Sequence, residues 1–463
     1  MTTTEDVTRA AAVAATEYAK WNGAQRQNLL EACAAALEER TDEVVAIAMA
    51  ETGLTETRLR GEVARTTDQL RQFGAFVAAG RHHDGRLSAG AAGGADVLAV
   101  AVPIGPVAVF AASNFPFAFG VAGGDTASAL AAGCPVVVKG HPAQPRTSRA
   151  VAAAIEAGLS GVKAPAGTFT MLDDSSPEAS IALVKAPEIR AVGFTGSLGG
   201  GQALMAAAAS RPDPIPVYAE MGSLNPVFVL PGAAADPAWA ATLAGSVTGS
   251  AGQLCTKPGL IVCPDTEAGL ALADAIAAAV SAAPATTMLT DGMAAAHQRW
   301  LDEAGKNAGV TVYGGSVEVG GRAPKPFAVR VAGTDLEGDL LEEHFGPTVV
   351  VATAPVGDYP ALAERLDGSL TATLVGTGDD IDEAARVLPI LTGVAGRVIW
   401  NGVPTGVAVC DAMVHGGPWP ATSASWSTSV GTAAIHRFLR PVAMQGLPAE
   451  LLAAVGISDK GTR

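Results

Sequence analysis

The sequence predicts an α/β protein built on two doubly wound parallel sheets, and two observations carry that expectation. From residue 97 onward, short apolar runs alternate with helix-forming stretches. V-L-A-V-A-V (97–102), P-V-A-V-F-A (106–111) and P-V-V-V-K (135–139) read as strands, and 120–132 and 147–159 as helices. A second series follows, with V-F-V-L at 227–230, L-I-V-C at 260–263, T-V-V-V-A at 348–352 and T-A-T-L-V-G at 371–376. Strands that are apolar throughout need both faces covered, which helices between parallel strands provide. At 463 residues the chain is too long for a single ordinary core, and two α/β units joined near residue 222 are the simplest division.

Ahead of the first strands the pattern is helical. Over 26–40, Leu29, Leu30, Cys33 and Leu37 share one face, with Glu31, Glu38, Glu39 and Arg40 mostly opposite, so Cys33 reads as a core residue. Helical spacing continues through 41–79, and the segment 81–95 is Gly- and Ala-rich, with R-H-H-D-G suggesting a turn. His82 and His83 have no Cys or carboxylate at ligand spacing, and no metal site is expected. The Ala-rich stretch 268–285 is interrupted by Asp274 and is only weakly apolar, which predicts a packed helix and no membrane span.

A net charge of -15 argues against a nucleic-acid surface, which needs clustered Lys and Arg to displace counterions from phosphates. The five cysteines form no C-x-x-C pair and are too sparse for a disulfide framework, as in a reducing, cytoplasmic compartment. M-T-T-T-E-D-V-T-R-A has no basic region leading into an apolar block and does not read as a secretory signal.

The chemistry concentrates in a few segments. G-Q-L-C-T-K-P-G (252–259) sets Cys255 in a polar, glycine-flanked loop, and A-E-M-G-S-L-N-P (219–226) carries Glu220. A thiol and a carboxylate can divide an acyl-forming reaction: the thiolate attacks a carbonyl, and the carboxylate activates the water that releases the product. Taken singly, such a Cys is usually a small core residue and such a Glu a solvated one. Asn114 follows a buried strand and can donate from its amide where negative charge develops, although a turn residue before F-P reads the same way alone. Gly196-Ser197-Leu198-Gly199-Gly200-Gly201 lies between a strand and a helix. It lacks the P-loop lysine, and its free N–H groups suit a pyrophosphate. Lys139 ends an apolar strand, an odd place for a charge without a polar ligand.

These segments occur in order with P-I-G-P-V-A-V-F-A-A-S-N-F-P-F-A-F-G (103–120), V-V-V-K-G-H-P (136–142), A-V-G-F-T-G-S-L-G-G-G (191–201) and E-E-H-F-G-P (342–347). Together they resemble the aldehyde dehydrogenase superfamily over nearly the whole chain. W-N-G-V-P-T-G-V-A-V-C-D-A-M-V-H-G-G-P-W-P-A-T-S (400–423) is similar to the branch holding α-ketoglutaric semialdehyde and NADP-dependent fatty aldehyde dehydrogenases. The resemblance implies a Rossmann-like coenzyme domain (1–82 and 103–222), a catalytic domain (223–431) and a small β oligomerisation arm (83–102 and 432–463) of a homodimer or homotetramer. It implies Cys255 as nucleophile, Glu220 as the base that hydrolyses a thioester, and Asn114 with the Cys255 N–H as oxyanion donors. Relatives that pass the acyl group to coenzyme A generally lack that glutamate, so hydrolysis is the expected outcome; a catalytically silent relative would not need this whole set.

For the cofactor, the resemblance places Gly196, Ser197 and Gly201 near the pyrophosphate, Lys139 on the adenosine ribose, and Glu343 with Phe345 on the nicotinamide side. Where NAD-preferring relatives carry a glutamate three residues after that lysine, this chain has Pro142. The cofactor is NADP or NAD, with NADP slightly favoured, and no basic residue in K-G-H-P demands it. Phe115, Phe117, Leu254, Thr256, Trp419 and Trp426 are the candidates for the substrate pocket. The branch pattern P-A-T-S-D-x-R-x-T-S-V-G becomes P-A-T-S-A-S-W-S-T-S-V-G, with Ala424 and Trp426 in place of an Asp and an Arg. That leaves two substrates in view: a dicarboxylic semialdehyde such as α-ketoglutaric semialdehyde, whose anionic tail wants a guanidinium, and an aliphatic or aromatic aldehyde.

Overall fold

The computed structural model describes residues 3–307, 309–315, 321–454 and 457. Four helices open the chain: Thr4–Tyr18, Gly23–Glu39, Thr41–Thr52 and Glu56–Ala78. The second begins at a reciprocal cap, in which the Asn22 side chain accepts the Gln25 N–H and the Gln25 side chain accepts the Asn22 N–H, both at 2.9 Å. Leu29, Leu30, Cys33 and Leu37 are all fully buried, as the helical spacing predicted.

β1 (Arg86–Ala92) and β2 (Ala95–Pro103) form an antiparallel hairpin. β3 (Val107–Phe110), β4 (Val136–Lys139), β5 (Phe169–Leu172), β6 (Ala191–Thr195) and β7 (Val217–Glu220) make a wholly parallel sheet in the order β5-β4-β3-β6-β7. β8 (Val227–Val229), β9 (Leu260–Pro264), β10 (Thr311–Gly314), β11 (Phe327–Ala332), β12 (Thr348–Ala354), β13 (Ser369–Val375) and β14 (Ala395–Trp400) form a seven-stranded sheet in the order β10-β11-β12-β9-β8-β13-β14. Only the β10–β11 pair in it is antiparallel. β15 (Leu439–Gln445) returns to the hairpin and pairs antiparallel with β2.

One strand expectation needs correcting. V-L-A-V-A-V does not join the parallel series; it lies in β2, flanked by β1 and β15, and only Leu98 and Val100 along it are buried. The Ala-rich stretch is the packed helix Glu267–Ala282, which buries Leu272, Ala273, Ile276, Ala277 and Val280. No helix among the described residues is long and apolar enough to cross a membrane.

In the five-stranded sheet the order reverses at β3, the kind of switch point that opens a crevice at the carboxyl ends of parallel strands. Phe110 pairs with Lys139 and with Phe194, and Thr195 with Glu220, so four strands end level. The loops that follow bring Asn114, Lys139, Ser197 and Glu220 to one edge. The seven-stranded sheet contributes the opposite ends of its strands: Asn225, Cys255 and Glu343 all lie just before the starts of β8, β9 and β12. The late segment 421–423 adds beside β7, through Met221 N to Ala421 O (2.8 Å) and Ser423 N to Ala219 O (3.0 Å).

Candidate active site

The helix Ala238–Thr248 ends immediately before the cysteine loop. Ser250, Ala251 and Gly252 then take left-handed backbone conformations in succession, with φ of 56°, 56° and 64°. Each non-glycine residue so held costs on the order of 1–3 kcal/mol unless its surroundings enforce it. At Gly252 only glycine fits, because a Cβ there would stand 2.1 Å from the Gly346 carbonyl oxygen. The loop is tied down by Asn225, whose amide donates to Cys255 O (2.9 Å), Lys257 O (3.0 Å) and Ser223 O (3.1 Å). Its carbonyl oxygen accepts from Ser223 Oγ and from Thr371 N and Oγ1.

Cys255 is partly buried, whereas Cys33, Cys134 and Cys263 are fully buried and Cys410 is exposed. Burial pushes the Cys33 and Cys263 thiols up to about 12, which leaves them chemically inert. Around Cys255 stand two groups. His415 Nε2 is 3.6 Å from the sulfur and 3.0 Å from Glu220 Oε1. The imidazole–carboxylate contact is close but poorly aligned, so Oε1 accepts no well-formed hydrogen bond. The other carboxylate oxygen accepts the Ser429 hydroxyl at 2.5 Å.

Burial raises the pKa of Glu220, but His415, Ser429 and Arg437 outweigh it and hold the carboxyl below its usual value. The Cys255 thiol is pushed well up by burial, then by Glu220 and Glu343, with Arg65 opposing. The site therefore holds an anionic carboxylate, an imidazole and a protonated thiol in mutual contact, an arrangement that can move a proton off sulfur and later off water. Their ligand atoms all lie within 4.8 Å of one another, the one cluster of metal-binding type among the described residues.

Asn114 is half-buried in the loop after β3, and its amide donates to Gln253 O (3.1 Å), beside the cysteine loop. The Asn114 main-chain carbonyl accepts from Arg58 Nη2 at 2.5 Å. The loop is fixed further on by Glu62, whose Oε1 accepts the N–H groups of Phe117 (2.7 Å) and Ala118 (3.0 Å). An amide so placed, if aimed at a developing oxyanion, is worth about 2.7–4 kcal/mol.

Between the two large sheets lies a cavity of about 570 Å³, lined among others by Ser197, Leu198, Gly199, Glu343, Phe345 and Trp300. It thus unites candidates more than 140 positions apart in sequence. Ser197 caps the Leu198–Ala209 helix, accepting the Gly200 N–H at 3.2 Å, and this helix start faces the cavity. Gly196 is exposed at the strand end. Gly201 instead packs the helix on the sheet: a Cβ there would be 2.4 Å from Met221 Sδ.

Glu343 is half-buried, and loss of solvent around its carboxyl pushes it up to about 7 against the pull of Lys257. Lys257, two residues beyond the cysteine, donates to His344 O (3.0 Å) and Thr348 O (2.8 Å), pinning the E-E-H-F-G-P loop. The His344 ring stacks on Trp300 at 3.6 Å and 4°. Lys139 is 6% exposed at the end of β4, and Pro142 is exposed three residues on. His141 between them is pushed down to about 4 by burial and by Lys139, so it is neutral near pH 7.

The substrate-pocket candidates separate. Phe115 is half-buried and lies edge-on to Phe119 at 5.6 Å, while Phe119 stands 6.1 Å from the His415 ring. Leu254 and Thr256 flank the thiol, partly and fully buried respectively. Phe117 is fully enclosed in the hydrophobic core of the first unit. Trp419 is half exposed, and Trp426, 82% exposed, borders a separate hollow with Tyr218, Val414 and Arg437. His415, Ser429, Lys257, Asn225 and Arg65 were not among the residues singled out from the sequence.

Residues 1–439 match the model of the aldehyde dehydrogenase family. The chain is 44% identical over 452 residues to an α-ketoglutaric semialdehyde dehydrogenase 2 of Azospirillum brasilense, covering 93% of this chain and 85% of that one. It is 40% identical over 465 residues to an α-ketoglutaric semialdehyde dehydrogenase of Acinetobacter baylyi, covering 97% and 88%. Among solved structures, the fold is similar to an NAD-dependent aldehyde dehydrogenase from Sinorhizobium meliloti (TM-score 0.82, 23% identity, covering 96% of this chain and 88% of that one). A lactaldehyde dehydrogenase from Escherichia coli is equally similar (TM-score 0.83, 21% identity, 96% and 90%).

Proposed function

The chain belongs to the aldehyde dehydrogenase family, and from that premise we propose that it oxidises α-ketoglutaric semialdehyde to the dicarboxylate through a thioester on Cys255. The observation that carries this reading is the contact of one accessible thiol with His415 and, through it, Glu220.

In this reading His415 takes the thiol proton toward Glu220 as sulfur adds to the aldehyde carbon, and the new oxyanion is met by the Asn114 amide and the Cys255 N–H. A bound nicotinamide cofactor supplies the hydride acceptor. The residues around the cavity fit such a ligand: a capped helix start for phosphate, a half-buried carboxylate at Glu343 to accept ribose hydroxyls, and Phe345 as an apolar wall. The pair passes the thiol proton to solvent, water then attacks the thioester and gives a proton to the Glu220–His415 pair, the C–S bond breaks, and the departing sulfur takes that proton back, restoring the thiol as the product leaves as the carboxylate with its acid proton lost to solvent. Absence of a glutamate at Pro142 favours NADP over NAD, while neutral His141 gives a 2′-phosphate no cation, so the preference is modest.

Residues 1–82 with 103–222 are assigned to coenzyme binding, 223–431 to catalysis, and 83–102 with 432–463 to an arm that joins a cytoplasmic homodimer or homotetramer. The test is a panel of hexanal, benzaldehyde, succinic semialdehyde and α-ketoglutaric semialdehyde, each run with NAD and with NADP, following the reduced cofactor. The highest kcat/KM is expected for α-ketoglutaric semialdehyde. Values that rise with alkyl chain length, with little turnover of either semialdehyde, would replace it with an apolar-aldehyde enzyme.

A further inference from the structure

We propose that Arg65, with Arg58 on the same face of the Glu56–Ala78 helix, receives the distal carboxylate of the substrate and so selects aldehydes that carry an anionic tail. The inference rests on the semialdehyde reading and names the residue that would enforce it.

Two other guanidinium groups near the site are already committed. Arg397 donates both terminal nitrogens to backbone, to Gly406 O and Pro404 O at 2.6 Å each. Arg437 is paired with Asp125 at 2.8 Å in a buried bridge and also donates to Ser128. Arg65 is different. Among the described residues its guanidinium makes no hydrogen bond or ion pair, and its buried Nε has no partner. The group lies 5.7 Å over the Phe119 ring, and Phe119 in turn is 6.1 Å from the His415 ring that touches Cys255. Arg58 stands 5.0 Å over Phe115 and already holds the Asn114 carbonyl.

The spacing 58, 62, 65 puts Glu62 between the two arginines on one helix face. Its carboxylate does not form an ion pair with either: Oε1 is taken by the Phe117 and Ala118 N–H groups. Two half-buried guanidinium groups thus stand on a wall of aromatic rings beside the thiol with no carboxylate paired to them. The forked donors of arginine match a carboxylate in two parallel bonds. Without such a counter-charge, Glu220 and Glu343 would repel an anionic tail; both act on the Cys255 region with negative charge.

The experiment measures kcat/KM for α-ketoglutaric semialdehyde and for pentanal in wild type, Arg65→Met, Arg65→Gln and Arg65→Lys, together with competitive inhibition by glutarate. The semialdehyde-to-pentanal ratio should fall about ten- to a hundredfold in the Met and Gln variants, the loss expected for charged hydrogen bonds. Lys should recover part of it, and the glutarate inhibition constant should rise in parallel with the loss. Using two neutral variants keeps the measurement intact if one folds poorly. A wild type that prefers the semialdehyde, with variants that keep that preference, overturns the role of Arg65 alone. A wild type with no preference for the semialdehyde overturns the substrate reading and this inference with it.

Discussion

The imidazole Nε2 of His415 lies 3.6 Å from the sulfur of Cys255, close enough for a proton to pass between them without an intervening water. The thiol's environment makes that contact necessary. Burial, Glu220 and Glu343 all favour the protonated sulfur, so a standing thiolate is disfavoured and the nucleophile must be made at the moment of attack. Glu220, held anionic, balances the charge that the imidazole gains.

That electrostatic order sets how fast the free enzyme reacts with iodoacetamide. In wild type, alkylation of Cys255 should be slow at neutral pH and still climbing above about pH 9, beyond the ordinary thiol range. Glu220→Gln removes one negative charge near the sulfur, which lowers the thiol pKa and should speed alkylation at neutral pH. Mass spectrometry of the labelled peptide gives the rate, and slower labelling in the variant would contradict the assigned field.

Turnover in the same variant should move the other way. Glu220→Gln retains the nucleophile and the oxyanion donor but loses the base for thioester hydrolysis, a role typically worth about 10²–10⁴-fold. Rapid mixing should show a burst of reduced cofactor near one equivalent, then a steady rate lower by that factor. A linear trace at the wild-type rate rules the role out.

Lys257 should control the pH dependence of cofactor binding. In its proposed role Glu343 accepts a ribose hydroxyl best as the carboxylate, and its pKa is raised to about 7 despite the nearby ammonium. Affinity should therefore improve as pH rises through about 7. Lys257→Met removes the opposing charge, so the midpoint should shift upward, and protein fluorescence titrated with cofactor across pH reads it. An unchanged or lower midpoint would separate the two residues. The linkage carries a sign for stability too. Because the folded pKa of Glu343 lies above its unfolded value, this group's contribution is fully present at acid pH and is lost as pH rises toward 7.

Pro142→Glu should shift the enzyme toward NAD. A carboxylate there can accept hydrogen bonds from a 2′-hydroxyl and repels a 2′-phosphate. The ratio of kcat/KM for NADP to that for NAD should fall by about tenfold or more, the effect of roughly 1.4 kcal/mol; a constant ratio would move the adenosine ribose away from Lys139 and Pro142.

Much of this was legible in the sequence, for physical reasons that differ by residue. Cys255 and Glu220 are unremarkable in their own local patterns and became legible through the ordered motifs around them, G-Q-L-C-T-K-P-G and A-E-M-G-S-L-N-P among them. The parallel strands β3, β4, β8, β9, β12 and β13 were readable because their apolar runs are nearly continuous, whereas β5, β7, β11 and β14 were not singled out from the sequence. V-L-A-V-A-V misled because alanines at its outward positions disguise the alternation of a strand with one covered face. Phe115, Phe117 and Phe119 look equivalent as a sequence pattern, but the turn after Asn114 sends the middle ring into the core. His415 stands 160 positions from its cysteine, and no local periodicity links them. The only available signal was a titratable residue inside V-H-G-G-P, within the segment that already carried the family likeness. Arg65 reads from sequence as one more charge on a helix; its lack of a partner is a property of tertiary structure alone.

Asn225 has a consequence for how such an enzyme can change. Its six contacts fasten the backbone at the nucleophile and two residues beyond it to the start of β13 and to the loop before β8. The reacting sulfur is thereby referenced to the sheet, while the side chains proposed to meet the rest of the aldehyde, at Phe115, Arg65 and the late loop, hang from a helix and from turns. Mutations that retune which aldehyde is accepted can accumulate on those outer elements without displacing the point where the bond forms. Specificity can drift in this architecture while the chemistry keeps a fixed address.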